Sequence, residues 1–518
     1  MTNDKVFAGD SEHLELQREG MEQCQNEKLG AMDPVDSDPH EMKKLVRKID
    51  LRLMPIMCIT YGLQYYDKVV LSHAAIFGLL KDLDLVAQPT RYDFLDIDMR
   101  DLDHSSAHRN SSYSNVSMIF YCGYLLGSLP ISYLAQIFPT GIVCGTTVVL
   151  WSVVVMCTPA CTSYQGLLVN RFFLGLIESG VAPSFMLVVS AWYTKREQVL
   201  RSGLWYSFSG GANLVVPVIS FGIGHIKSAH IANWKLMFLI PGACTFLWSI
   251  VVFFFLPHSP VSAPGFTDRE KTLIIHRMQA DNAGMANREF KKAHVYECMR
   301  SLSFWIVNLL SMLTSVVSGP ISSFGSLIFH EMGFTPEQSL LLSMPNGAMA
   351  FICIFGSAYI TRNFSNSRLF VIAGASLVVV MGCCLTWRLP LSNNAGRLAG
   401  FYLMNFFSSA YIQVVGLGTS NVGGYTKKAT SAASIFVFYC AGSIIGPEIF
   451  NQKEAPRYNS GFMGTMICLA SAFVLAIALR FHLERKNALR NETYGQPGVE
   501  RGLEDITDRE NKDFRYHL

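Results

Sequence analysis

An all-α membrane protein, with twelve transmembrane helices in two six-helix halves, is the fold class predicted by three observations: the composition, the spacing of apolar runs and the placement of basic residues. Of the 518 residues, 50% are hydrophobic and 16% charged, against roughly 25% charged in soluble domains, and the mean hydropathy is +0.28. Apolar runs lie near 52–78, 115–137, 140–160, 164–192, 202–224 and 234–256. After a polar interval they resume near 303–328, 338–360, 368–388, 397–418, 430–450 and 460–481. Each approaches or exceeds the length needed to cross a hydrocarbon core of about 30 Å. Basic residues collect in alternate intervals, as the positive-inside rule requires of a chain with both termini in the cytosol.

Residues 1–42 carry many acidic and few apolar side chains, too little to bury a core, and are expected to form a disordered cytosolic tail. A basic stretch, Lys43, Lys44, Arg47, Lys48 and Arg52, precedes the first run and opens the first half, 43–256. Between the first two runs lies a long interval, expected outside, with seven aspartates from Asp82 to Asp103 and two glycosylation sequons, at Asn110 and Asn115. Residues 257–301 hold Arg269, Lys271, Arg277, Lys291, Lys292 and Arg300 and read as a cytosolic linker. The second half follows at 302–484, and 485–518 is expected to be a cytosolic tail.

Thirteen cysteines sit mostly inside apolar runs, without the spacing of a disulfide framework or of zinc ligands. The net charge of +3 is small and spread along the chain, so no nucleic acid partner is expected. Neither an ATP-binding loop nor a nucleophile elbow occurs. An enzyme is not expected, and neither a cofactor nor a metal is called for.

Two ionisable residues fall within the fourth run, in NRFFLGLIESGVAP. Arg171 and Glu178 are seven residues apart, hence within about 20° of one helical face and about 10 Å apart along the axis. Ionisable groups at such depth commonly mark a substrate path or proton relay. In the first run, Asp67 and Lys68 are also charged. Counting rise per residue from each membrane boundary puts Asp67 level with Arg171 and Glu178 about 10 Å lower, which predicts an Asp67–Arg171 ion pair in at least one transport state; the alternative pairs Asp67 with Lys68 at the outer interface. Polar groups in otherwise apolar runs are candidates to bind substrate: Gln64, His73, Tyr121, Tyr124, Asn405 and Gln413. Such groups also commonly join helices to one another.

Small residues mark close packing: Gly123 and Gly127, and Gly442 and Gly446, each in a G-x-x-x-G pattern. Gly210-Gly211 with Pro217, and Gly319-Pro320, are expected kinks. Tyr193-Thr194-Lys195-Arg196 and Tyr425-Thr426-Lys427-Lys428 fall at corresponding turns of the two halves, as in parallel six-helix repeats.

The stretches Arg47–Leu83, Ile119–Gly141, Arg171–Phe185, Asn421–Thr430 and Tyr439–Phe462 resemble the major facilitator superfamily, specifically its fungal anion:cation symporter group of allantoate, nicotinate and pantothenate permeases. The resemblance covers about 45 to 485. It implies the twelve-helix fold, alternating access and proton-coupled movement of organic anions. The pattern R-x-x-x-G-x-x-E is matched by Arg171, Gly175 and Glu178, and in similar symporters the acidic position takes part in proton coupling. One position departs: Pro139-Thr140-Gly141 is followed by Ile142 rather than a basic residue, so the gating role of that loop is not carried over.

The expected function is proton-coupled uptake of a small organic anion, a vitamin-like or ureide-like carboxylate, by a multi-pass protein of the plasma membrane. The expected partners are the anion, protons and the lipid bilayer, with no oligomer required. The alternatives are a proton-antiport exporter of a metabolite and a transport-dead nutrient sensor.

Overall fold

The computed structural model describes residues 39–83, 112–226, 231–257, 260, 263–280, 291–364, 366–450, 454, 457–495 and 507–518. Residues 1–38, Asn110 and most of the acidic interval before the second run lie outside the described residues. Eleven helices among those described are long and apolar enough to cross a membrane. They are α2 (Ser112–Ile137), α3 (Thr140–Ala160), α4 (Tyr164–Trp192), α5 (Lys195–Gly224), α6 (Asn233–Phe255), α7 (Leu302–Glu331), α8 (Pro336–Asn363), α9 (Arg368–Arg388), α10 (Asn394–Ser420), α11 (Tyr425–Ile449) and α12 (Asn459–Tyr494). The twelfth is α1 (Pro39–Ala74), which continues through a kink to Asp82. Its polar residues, Thr60, Gln64, Asp67, Ser72 and His73, are buried. A helix whose polar groups face protein on several sides carries a weaker hydropathy signal than one facing lipid.

Local signals set the helix starts. Ser163 accepts from the Gly166 N–H to begin α4. Thr194 with Glu197, and Thr335 with Gln338, form capping boxes at the starts of α5 and α8. The kink after α1 falls at Gly78, whose φ of 108° a side chain would oppose. α4 is interrupted at Ser179-Gly180, directly after Glu178. α7 is interrupted at Val316-Val317 and passes into a π-helix at Pro320–Phe324, next to the Gly319-Pro320 pair that the sequence marks, whereas α5 runs unbroken through Gly210-Gly211 and Pro217.

The packing repeats every six helices. α3 lies on α6 as α9 lies on α12, and α1 lies on α5 as α7 lies on α11. Across the midline α5 lies on α8 and α2 on α11. The glycine patterns make these approaches possible. Gly123, Gly127 and Gly175 bring the backbones of α2 and α4 together, Gly442 and Gly446 do so for α11 and α7, and Gly210 meets Gly347 between the halves. In each case a β-carbon would collide with main-chain atoms of the facing helix.

The halves are hydrogen-bonded to each other at the end where α2 begins. There Tyr113 donates to the Ser323 carbonyl at 2.6 Å and Ser114 to the Pro447 carbonyl at 3.3 Å. α7 is continuously buried from Thr314 to Phe329.

One expectation needs correction. Asn115 lies inside α2, half-buried, and its amide donates to the Tyr164 hydroxyl at 3.2 Å. A glycan acceptor must present that same nitrogen in an accessible segment, so Asn115 is not one. The expected cytosolic tail, 485–518, is described at 485–495 and 507–518. α12 continues to Tyr494, and residues 507–518 fold back so that Asp508 meets Lys427 while the Leu518 carbonyl accepts from the Arg368 N–H.

Candidate proton and anion site

α1 carries the chemistry. Tyr61, Gln64, Tyr65 and Lys68 recur at three- and four-residue spacing and share one face. Lys68 reaches from that face to α4, where its Nζ lies 3.3 Å from Glu178 Oε1. Glu178 is wholly buried at the interruption of α4. The Lys68 side chain is 13% exposed, with its ammonium 5.7 Å and 5.4 Å from the ring centres of Phe120 and Tyr124. Those distances are within cation–π range. Gln64 donates to the Glu178 main-chain carbonyl at 3.3 Å. Its Oε1 and both Glu178 carboxylate oxygens make no hydrogen bond. Glu178 is thus balanced chiefly by the Lys68 ammonium, and loss of its charge would leave that ammonium uncompensated in a buried setting.

A second pair of charges sits behind the first. The Asp67–Arg171 ion pair, expected in at least one transport state, is not formed in this state of the protein. The levels agree, but Arg171 Nη1 donates to the main-chain carbonyl of Asp67 at 3.3 Å, while Asp67 Oδ2 accepts from Trp151 Nε1 at 2.7 Å. The cause is Trp151, a buried residue of α3 whose indole takes the carboxylate. The Arg171 guanidinium instead lies 5.2 Å over the Phe238 ring, with Nε and Nη2 unpartnered. The alternative, Asp67 with Lys68, fails because adjacent helical residues point about 100° apart. Glu178, reckoned well below the level of Asp67 and Lys68, is nevertheless reached by Lys68. The count from fixed boundaries allowed neither for the long lysine stem nor for a 29-residue α4, which at 1.5 Å per residue is longer than the core is thick.

The remaining candidates do not converge on one place. His73 is wholly buried with Nδ1 2.9 Å from Ser220 Oγ. Asn405 donates to Asn346 Oδ1 at 2.8 Å, and Gln413 to Ser357 Oγ at 3.3 Å. Both of these join α10 to α8 within the second half and read as interhelical contacts. Tyr121 and Tyr124 do face the midline. Tyr121 lies 6.4 Å from Tyr439, Tyr439 4.8 Å from Tyr411, Tyr411 6.0 Å from Tyr206 and Tyr206 5.3 Å from Tyr61. This line of phenols crosses between the halves beside Lys68. The spacing of Tyr61 and Tyr65 with Lys68 was a readable signal. Trp151, Tyr206, Tyr411 and Tyr439 join through long-range packing that no local pattern announces.

The family model described as Major Facilitator Superfamily matches residues 85–447. The chain belongs to the major facilitator superfamily. Among its facilitator relatives is an uncharacterized transporter of Schizosaccharomyces pombe, 32% identical across 100% of this chain and 95% of that protein. The allantoate permease of Saccharomyces cerevisiae is 29% identical, over 93% of this chain and 88% of the permease. These relatives are fungal transporters, consistent with the anion:cation symporter group. Of solved facilitators, a D-xylose-proton symporter superposes with a TM-score of 0.60 over 83% of this chain and 97% of its own, at 11% identity. That likeness concerns the fold alone. The chain is accordingly a multi-pass membrane transporter and not an enzyme.

Proposed function

We propose that this facilitator couples proton entry to uptake of a small organic anion, with Glu178 as the proton site and Lys68 as the anion site. The observation that carries the reading is the 3.3 Å contact between Lys68 and Glu178, where the glutamate is wholly buried and the lysine faces the phenols at the midline. With Glu178 ionised, Lys68 is neutralised by it and has little attraction for a second anion. A proton on Glu178 releases the ammonium, whose charge then favours a carboxylate arriving between the halves. Binding of proton and anion is thereby mutually reinforcing, the condition for symport. The phenols of Tyr121, Tyr124 and Tyr439 offer hydrogen bonds to such a ligand. Arg171, donating to the Asp67 main-chain carbonyl, ties the first part of α4 to α1.

A ureide-like or vitamin-like carboxylate is the substrate class that the allantoate permease supports. The charge bias of the loops supports an orientation with both termini cytosolic, which makes the end bonded through Tyr113 and Ser114 the outer one, as in a plasma-membrane importer. The test is uptake of a carboxylate panel by cells expressing the chain at two external pH values. Accumulation of one member, stronger at the lower pH and lost in Lys68→Gln, is expected. Efflux driven by the same gradient would favour the exporter instead, and pH-independent equilibration would remove the coupling.

A further inference from the structure

At the end of the molecule where α1 begins, the helix extends beyond the apolar run and lies beside the last turn of α6. A groove of about 560 Å³ opens between them, lined by Lys44, Arg47, Lys48, Leu51, Arg52 and Phe255. Four of its six lining residues are cations. Two of these are already engaged: Lys48 donates to both carboxylate oxygens of Glu270, at 2.9 Å and 2.7 Å, and Arg52 lies 5.5 Å over the Phe266 ring. Lys44 and Arg47 stand exposed beside them. The apolar residues of the groove are exposed as well, Leu51 at 67% and Phe255 at 59%, and Phe254 next to it at 72%. In a membrane protein such exposed aromatic and aliphatic side chains meet lipid. The groove is thus cationic on its aqueous side and continuous with the hydrocarbon-facing surface on the other.

We propose that this groove is a binding site for one anionic phospholipid. The phosphate would sit between Lys44 and Arg47, and the acyl chains would run along Leu51, Phe254 and Phe255. The hollow is open along its length, which suits a lipid lying on the surface with its headgroup among the cations. The charge suits it because basic clusters flanking a membrane helix attract anionic headgroups at about 1 kcal/mol for each cation. The site lies on the outer surface of the first half, away from Lys68 and Glu178, and its existence does not depend on the direction or coupling of transport. Because α1 carries both the groove at one end and Lys68 within the membrane, a bound lipid would also brace the helix on which the central site is built.

The test is native mass spectrometry of the full-length protein in detergent, titrated separately with phosphatidylglycerol, phosphatidylcholine and inorganic phosphate. Wild type is expected to retain one phosphatidylglycerol in preference to phosphatidylcholine. In Lys44→Gln/Arg47→Gln the affinity for phosphatidylglycerol should fall about thirtyfold, the equivalent of about 1 kcal/mol for each cation removed. A control with the same loss of charge elsewhere, Lys292→Gln/Arg485→Gln at exposed positions, should retain the lipid. Equal retention of the two lipids by wild type overturns the site, a result obtained without any variant. An equal loss in the control reduces the effect to overall charge and also overturns it. Full displacement by millimolar inorganic phosphate would show that the phosphate alone is recognised and would overturn the lipid assignment.

Discussion

Asp67 and Lys68 are neighbours in sequence with different fates, because a helix turns about 100° between them. Asp67 is directed to Trp151 and Lys68 to Glu178. Replacing Trp151 with phenylalanine keeps the aromatic bulk and removes the indole N–H, leaving a buried acceptor without its donor. That should destabilise the protein by about 1–3 kcal/mol, read as a lower melting temperature in detergent. In the Asp67→Asn background the same change should cost much less, since the charged acceptor is already gone; strictly additive losses would mean that the bond contributes nothing. The charged members of this site were legible in the sequence because ionisable groups are rare in apolar runs. Their partners were not, since pairing depends on side-chain reach, on helix length beyond the core and on Trp151, which a hydropathy reading treats as one more apolar residue.

At the scale of the helix, close approach is written in glycine. A β-carbon at Gly175 would run into the main chain of α2 at Phe120, so Gly175→Ala should force α2 and α4 apart and cost about 1–3 kcal/mol. Gly356, in α8, has open space where its β-carbon would lie. There the same substitution should be neutral or stabilise by up to about 1 kcal/mol through helix propensity. Melting temperatures of the two purified variants check the contrast, and a similar fall in both would remove packing as the explanation. All twelve spans were read as apolar runs, although only eleven of the described helices are apolar enough to stand out by hydropathy alone, and the glycine patterns correctly marked where helices meet. α1 was found in the sequence despite its polar side chains. The backbone breaks were only half legible: α7 departs from regular helix around Gly319-Pro320, with a turn at Val316-Val317 and a π-helix over Pro320–Phe324, while Gly210-Gly211 serves the contact with α8 and leaves α5 an unbroken helix. Asn115 matched an acceptor motif, but a tripeptide says nothing of the helix that encloses it.

Over the whole molecule, the two halves must change their contacts at both ends for a site at the midline to face each side in turn. At the end opposite Tyr113, residues 507–518 clamp the start of α11. Lys427 pairs with Glu297 at 2.8 Å and with Asp508, and the Tyr516 hydroxyl donates to Asp508 at 2.8 Å. Burial pushes the Asp508 carboxyl up, but the Lys427 ammonium, the Tyr516 hydroxyl and the Gly423 N–H outweigh it and hold the group below the ordinary carboxylate value. A depressed folded value means that the stabilisation is present above the unfolded carboxylate range and is lost as pH falls through the folded one. The docked segment should therefore resist carboxypeptidase from neutral pH down to about pH 5, while Asp508→Asn should release it at every pH. Rapid trimming of wild type at neutral pH would contradict the clamp. The central claim concerns the midline, where a proton on Glu178 frees Lys68 for an anion. It is tested most directly by comparing uphill accumulation with exchange in Glu178→Gln, once a transported carboxylate is in hand. With Lys68 permanently released, the variant should exchange internal for external substrate at a rate independent of pH and accumulate none against a gradient. A variant that still concentrates substrate, with the pH dependence of wild type, would contradict the account.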